Sequence, residues 1–166
     1  MQLNKLIITP MTKPHAQSIS LWKYDGEYSF YDQSEEGIEE LMDGTHYACT
    51  QDDDELVGYF CFGKGAQIPT IEENVYDNIY TDIGLGLRPD LTGKGMGLTF
   101  FKAGLDYAEN NLGIQYLRLS VATFNERAIK LYKNAGFIAD CEVTNSYYNN
   151  KFLVMKKEPS NDSNAN

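Results

Sequence analysis

The sequence predicts a single mixed α/β domain built on a sheet. Three observations lead there. Apolar, aromatic-rich runs of strand type fill the first half, two long runs at helical spacing mark the second half, and the second half orders itself as β-α-β-α-β-β. At 166 residues the chain has the length of one domain. A hydrophobic content of 42%, with twelve Tyr and eight Phe, supplies a core.

In chain order, Leu6-Ile7-Ile8-Thr9 reads as a first strand that stops at Pro10. Residues 15–22 and 35–41 are short helical segments, the second acidic on one face. Residues 46–50 and 56–62 form a hairpin across the acidic run Gln51-Asp52-Asp53-Asp54-Glu55, read as a solvated turn rather than a cation site. Residues 80–87 are a further strand, halted by Arg88-Pro89. Met96, Phe100, Ala103, Gly104 and Tyr107 share a helix face, and Asn111 and Gly113 end that run. Leu117, Leu119 and Val121 alternate with Arg118 and Ser120, which predicts a strand with one face inward. Asn125 is a natural N-cap for a helix carrying Ala128, Leu131, Tyr132 and Ala135, and Gly136 stands where the chain leaves it. Phe137, Ala139, Cys141 and Val143 alternate as another strand, and residues 151–155 supply the last. The domain is expected to span 1–157, with 158–166 a polar, disordered tail.

A net charge of −10 argues against nucleic acid and against an anionic membrane surface, and favours cationic partners. No apolar run is long enough to span a bilayer, and the first residues carry no signal-peptide pattern. Cys49, Cys61 and Cys141 follow no metal-ligand spacing and read as buried free thiols, which points to a cytoplasmic chain. His15 and His46 are isolated, with no ligand or catalytic role expected.

The strongest local signal is Leu85-Gly86-Leu87-Arg88-Pro89-Asp90-Leu91-Thr92-Gly93-Lys94-Gly95-Met96-Gly97, a strand running into alternate glycines that open a helix. Glycines admit a ligand close to backbone N–H groups, and a helix N-terminus adds unpaired donors and partial positive charge, so the segment reads as a diphosphate cradle. It is not a P-loop, because no Gly-Lys-Ser or Gly-Lys-Thr follows at the required spacing. Nor is it a dinucleotide fingerprint, since the glycines are mid-chain and the next strand ends in Ser120-Val121 with no acid. A tight turn with close helix–sheet packing is the plainer alternative.

One helix and one strand later comes Val121-Ala122-Thr123-Phe124-Asn125-Glu126-Arg127-Ala128-Ile129-Lys130-Leu131-Tyr132-Lys133-Asn134-Ala135-Gly136-Phe137. Together the two segments resemble the GNAT superfamily of acetyl-CoA-dependent N-acetyltransferases. The family's second pattern is matched at Asn125, Ala128, Tyr132, Gly136 and Phe137; its first is matched at Gly95 and Gly97, with Thr92 where the family has Arg or Gln. The motifs cover residues 80–157, while the first 79 residues agree in element order alone.

The resemblance implies a mixed, mostly antiparallel central sheet with a splayed strand pair and flanking helices. It implies acetyl-CoA as co-substrate, its diphosphate on Thr92, Gly93, Lys94, Gly95, Met96 and Gly97, and its pantetheine arm along Leu85 and Leu87. Lys94 would offset Thr92 as a point charge, and Asn125 would cap its helix, reach the cofactor arm, or both. A backbone N–H near Leu87 would contact the thioester oxygen. Tyr132 would protonate the leaving thiolate; packing between Ala128 and Ala135 is the alternative. The family's usual Glu on the strand before the loop is missing, so Asp82, ordered water, or Glu27, Glu72 or Glu73 would serve as base. Trp22, Tyr24, Tyr28, Phe30 and Tyr31 with Asp25 and Glu27 form a cluster able to hold an amine by cation–π and charge contacts, or to pack over the sheet. The expected reaction is direct transfer of acetyl to a primary amine, of a small molecule or a peptide, by a monomer or homodimer. The alternative is a non-catalytic acyl-CoA-binding module on the same fold.

Overall fold

The hairpin expected from the first half forms the start of one continuous sheet. The structure, a computed structural model, describes residues 2–33 and 37–159. Among them the strands are β1 (Ile7–Pro10), β2 (His46–Gln51), β3 (Glu55–Phe62), β4 (Thr81–Leu87), β5 (Leu117–Ala122), β6 (Ile138–Thr144) and β7 (Lys151–Lys157). The sheet order is β1-β2-β3-β4-β5-β7-β6, antiparallel throughout except for the parallel β4–β5 pair. The helices are α1 (Lys13–Ser20), α2 (Gly37–Leu41), α3 (Gly97–Leu112) and α4 (Glu126–Asn134).

Local chemistry sets these boundaries. Thr12 caps α1, its hydroxyl accepting from His15 N at 3.4 Å, with Pro14 in the first turn where its missing N–H costs nothing. Asn125 caps α4, its side-chain oxygen accepting from Ala128 N at 3.2 Å. Gly113 ends α3 in the left-handed region at φ 68°.

Ala48 and Cys49, neighbours on β2 and so on opposite faces, belong to different clusters. On the Cys49 face the main core packs α3 and α4 onto the sheet. On the Ala48 face lie α1 and α2, contributing Ala16, Ile19 and Leu41. The position of α3 is set by a stacked pair, Phe60 of β3 and Phe100 of α3, with ring centroids 4.5 Å apart. A Cβ at Gly58 would run into Phe100, and one at Gly104 into Phe60, so two small residues admit the stack and seat the helix.

Three expectations need correction. β5 is buried on both faces: Arg118 is 0% exposed, and the hydroxyls of Ser120 and Tyr76 lie 2.7 Å apart. Tyr76 and Asp77 belong to an irregular stretch whose sequence carries no periodicity, and that stretch covers the polar face of β5. β6 is an edge strand with a register shift between Ala139 and Cys141, so only Val143 and Thr144 within it are buried. Cys49 and Cys61 are buried as expected, but Cys141 is exposed. The acidic turn is solvated, with Asp52, Asp53 and Asp54 exposed. Of the helix read over 35–41, the part from Gly37 is present; its first residues and the 160–166 tail lie outside the described residues. Among the described residues no helix is long and apolar enough to cross a membrane.

Candidate active site

β4 and β5 pair only through Thr81 with Leu117 and Asp82 with Arg118, then part. Register shows which backbone groups this exposes. Gly63 N donates to Asp82 O at 2.8 Å and Arg88 N to Val57 O at 2.8 Å, so even-numbered residues of β4 bond toward β3. The odd-numbered ones turn the other way, as Thr81 N does in donating to Tyr116 O at 2.8 Å. Leu85 and Leu87 therefore aim N–H and C=O groups into the gap left by β5. The gap opens into a cleft of about 820 Å³.

At one end of the cleft lies the glycine loop. Gly93 and Gly95 adopt φ of 70° and 80°, which glycine reaches without the Cβ penalty. A Cβ on Gly93 would sit 2.8 Å from Arg127 Nη1, whereas Gly95 faces open space. Thr92, Gly93, Gly95 and Gly97 line the cleft; Lys94 and Met96 do not. Met96 is buried in the main core, and the Thr92 hydroxyl is spent donating to Pro89 O at 2.7 Å. Lys94 thus lies outside the cleft wall. Arg127, in the first turn of α4, does line it, and nothing in the sequence pattern sets it apart from the other polar residues of that helix.

α4 supplies the next wall. Asn125 uses both ends of its amide, capping the helix and donating to the Tyr31 hydroxyl at 3.2 Å. Tyr132 lines the cleft with its ring between Phe101 and Phe137, at 5.0 and 6.3 Å. Burial, with the neighbouring Tyr31 adding to it, pushes its phenol above the ordinary range, so it stays protonated.

Asp82 is placed differently from the sequence expectation. It is 1% exposed and does not line the cleft. Its Oδ1 accepts from Arg118 Nε at 2.8 Å, and its Oδ2 from Arg118 Nη2 at 2.8 Å and Gln67 Nε2 at 2.9 Å. The other acids considered lie elsewhere too. Glu72 is tied to Thr144 N at 2.8 Å, and neither Glu27 nor Glu73 lines the cleft.

The aromatic segment meets the far end. Tyr24, Tyr28, Phe30 and Tyr31 line the cleft, while Trp22 packs on Tyr59 instead and Asp25 and Glu27 face solvent. Tyr24 donates its hydroxyl to Leu87 O at 2.8 Å, and its N–H donates to Asp32 Oδ1 at 2.8 Å. The carboxylates on the wall are Asp32 and Glu40, and its cations are Arg127 and Lys130. The cleft is thus cationic beside the glycine loop and carries acids on its other wall. Asp32 and Glu40 carried no sequence signal, standing in a stretch of many acids. His15 and His46 stay outside, bonded to Asp54 at 3.2 Å and Asp43 at 3.0 Å. No cluster of metal-ligating side chains occurs among the described residues.

Comparison with known proteins agrees with this architecture. Over 72 residues, 43% of the chain, it is 30% identical to spermidine N(1)-acetyltransferase of Vibrio cholerae. Over 92 residues, 55% of the chain, it is 30% identical to N-alpha-acetyltransferase RimI of Mycobacterium tuberculosis. These stretches span 42% and 51% of those proteins, about half of their lengths or less. A solved chimera of spermidine N-acetyltransferase SpeG from Vibrio cholerae and hSSAT shares the fold with a TM-score of 0.72 at 18% identity, covering 93% of this chain and 96% of that one. Residues 13–137 match the acetyltransferase (GNAT) family, and the chain belongs to that family.

Proposed function

We propose that the protein transfers an acetyl group from acetyl-CoA to a primary amine of a small cationic molecule, by direct attack with both substrates bound. The observation that carries this reading is the parting of β4 from β5 directly beside the glycine loop, with Tyr132 inside the resulting cleft. The donor fits the residues present. Gly93 and Gly95 hold a turn open at the start of α3, and Leu85 and Leu87 offer backbone groups at the spacing of an added strand.

Acetyl-CoA supplies an activated acetyl thioester, whose C–S bond breaks as the C–N bond to the amine forms. Tyr132, protonated in the cleft, gives the departing sulfur its proton and recovers one from solvent. No cysteine lines the cleft among the described residues, which disfavours an acyl-enzyme route. Asp32 and Glu40 attract the ammonium form of the acceptor, while Tyr24, Tyr28 and Tyr31 offer aromatic faces to it. Asp82, both oxygens already bonded, holds the sheet and leaves the amine's proton to solvent. The spermidine N(1)-acetyltransferase among the similar proteins supports the substrate class.

The test pairs binding with turnover. At a hundredfold excess over Kd, CoA should stabilise the fold by ~2.7 kcal/mol, seen as a raised melting temperature. A panel of amines with acetyl-CoA should then release free thiol. No melting shift at millimolar CoA overturns the donor. A shift without turnover of any amine overturns catalysis and leaves a binding module.

A further inference from the structure

The chain contains three arginines. Arg88 is paired with Asp90 at 2.6 Å and Glu55 at 3.4 Å, and Arg118 with Asp82 at 2.8 Å and Asp77 at 3.3 Å. Arg127 has no carboxylate partner among the described residues, in a chain with 24 acids. Its place is also electrostatically wrong for a cation. It stands in the first turn of α4, where the helix dipole already presents positive charge and favours anions. The guanidinium is held there by two contacts. Its Cζ lies 4.6 Å from the centroid of Tyr28, and its Nη1 lies over Gly93 of the glycine loop.

An unpaired arginine between two helix N-termini, stacked on an aromatic ring and lining a cleft, is arranged to meet an anion. We infer that Arg127 binds the diphosphate of the donor in place of the basic side chain missing at Thr92, and that Tyr28 is the platform that aims it. This rests on the reading of acetyl-CoA as donor. Two observations exclude the nearer alternatives. The Thr92 hydroxyl already donates to Pro89 O, and Lys94 stands outside the cleft wall. Lys130, the other cation on the wall, lies further along α4, whereas Arg127 occupies the space that a Cβ on Gly93 would need. A planar guanidinium also suits two phosphate oxygens at once, which a lysine does not.

The design has a second consequence. Tyr28 belongs to the 3-10 turn Gly26–Tyr31 that borders the acidic wall, and it also packs on Phe124 at 5.9 Å. Arg127 therefore joins the loop that takes the donor to the segment that faces the acceptor.

The experiment is calorimetric binding of CoA, of dephospho-CoA, which keeps the diphosphate and lacks only the 3′-phosphate, and of pantetheine, which lacks all three phosphates and the nucleoside, to the wild type, Arg127→Gln and Tyr28→Leu. Arg127 is exposed, so Arg127→Gln should melt like the wild type without ligand. It should weaken CoA and dephospho-CoA alike, at least about tenfold, the loss of one charge-assisted contact, and leave pantetheine unchanged. Tyr28→Leu keeps the charge and loses the platform, so it should weaken CoA by a smaller factor in the same direction. Native CoA or dephospho-CoA affinity in Arg127→Gln, or equal loss of CoA and pantetheine, overturns the proposal; native CoA affinity in Tyr28→Leu overturns the platform. A wild type that binds no CoA overturns the donor reading itself.

Discussion

Arg118 and Asp82 are the last residues paired between β4 and β5 before the strands part, and each is the other's counterion. The two side chains are 0% and 1% exposed. The guanidinium also bonds the carbonyl of Asp77 at 3.1 Å and lies 5.0 Å from the centroid of Tyr76. The ion pair thus rivets the apex from which the cleft opens. Removing one partner of a buried pair strands the other charge, at a cost of about 3–5 kcal/mol. Asp82→Asn leaves Arg118 only the partly exposed Asp77 and should lower the unfolding free energy, read from a denaturant titration, by about that order. Replacing both, as Asp82→Leu with Arg118→Met, should cost less than the single change. An Asp82→Asn protein as stable as the wild type would contradict this assignment.

Tyr132→Phe removes one hydroxyl and little volume from a ring held by Phe101 and Phe137. Stability and CoA affinity should hold, while kcat should fall about 10²-fold, the low end of what a positioned acid contributes. Steady-state kinetics on an amine that is turned over decides it. An unaltered kcat ends the proton-donor role.

At Gly95 a side chain has room but the backbone is left-handed, so Gly95→Glu should fold with a loss of roughly 1–2 kcal/mol. Its carboxylate would stand where the diphosphate approaches. CoA should then no longer raise the melting temperature. Near-native CoA affinity in this variant would show that the loop only turns the chain.

Burial pushes the phenols of Tyr24, Tyr59 and Tyr132 above their ordinary value. Each holds its proton more tightly folded than unfolded. The stability they contribute is complete below pH about 10, the free phenol value, and is lost as pH climbs through the folded values. A pH titration should show a flat folded signal to about pH 10, then cooperative unfolding together with a burst of tyrosinate absorbance. Full ionisation of all the tyrosines with the fold intact would refute it.

The thiols give a simpler check. Burial moves Cys49 to about 12 and Cys61 to about 11, while Cys141 is exposed on the edge strand. One thiol per chain should react with a disulfide reagent in the native state, and the other two only on unfolding. Three reactive native thiols would mean that the β2–β3 core opens.

Much of this was written in local pattern. The glycines before α3 and the Asn125-to-Phe137 run state their elements plainly, because caps, periodicity and left-handed positions act within a few residues. The strands from β2 to β5 were legible for the same reason. What could not be read depends on residues far apart in the chain. Arg118 looked solvent-facing because alternation reports a half-buried strand, and its cover, Tyr76 and Asp77, has no periodic signal. The sequence offers Asp82 as one of several candidate bases, and nothing local shows that its carboxylate is bonded to Arg118, 36 residues away. The choice of Asp32 and Glu40 over Asp25 and Glu27 is likewise made by the turn Gly26–Tyr31 and by α2, neither with a strong signature.

The bond from Tyr24 to the Leu87 carbonyl has a kinetic meaning. Leu87 is the last rung of β4 and faces the gap, so a ligand lying along that edge meets a carbonyl already engaged. Taking it exchanges one hydrogen bond for another, and the net difference is within about 1 kcal/mol. Where the ligand's donor displaces the phenol rather than sharing the carbonyl, the tyrosine is released at the same moment. On the proposed reading, the segment around Tyr24, held by this bond across 63 residues of sequence, would be unbuttoned by the donor's arrival. Such a clasp would then favour the donor arriving before the acceptor without a hinge or a moving domain.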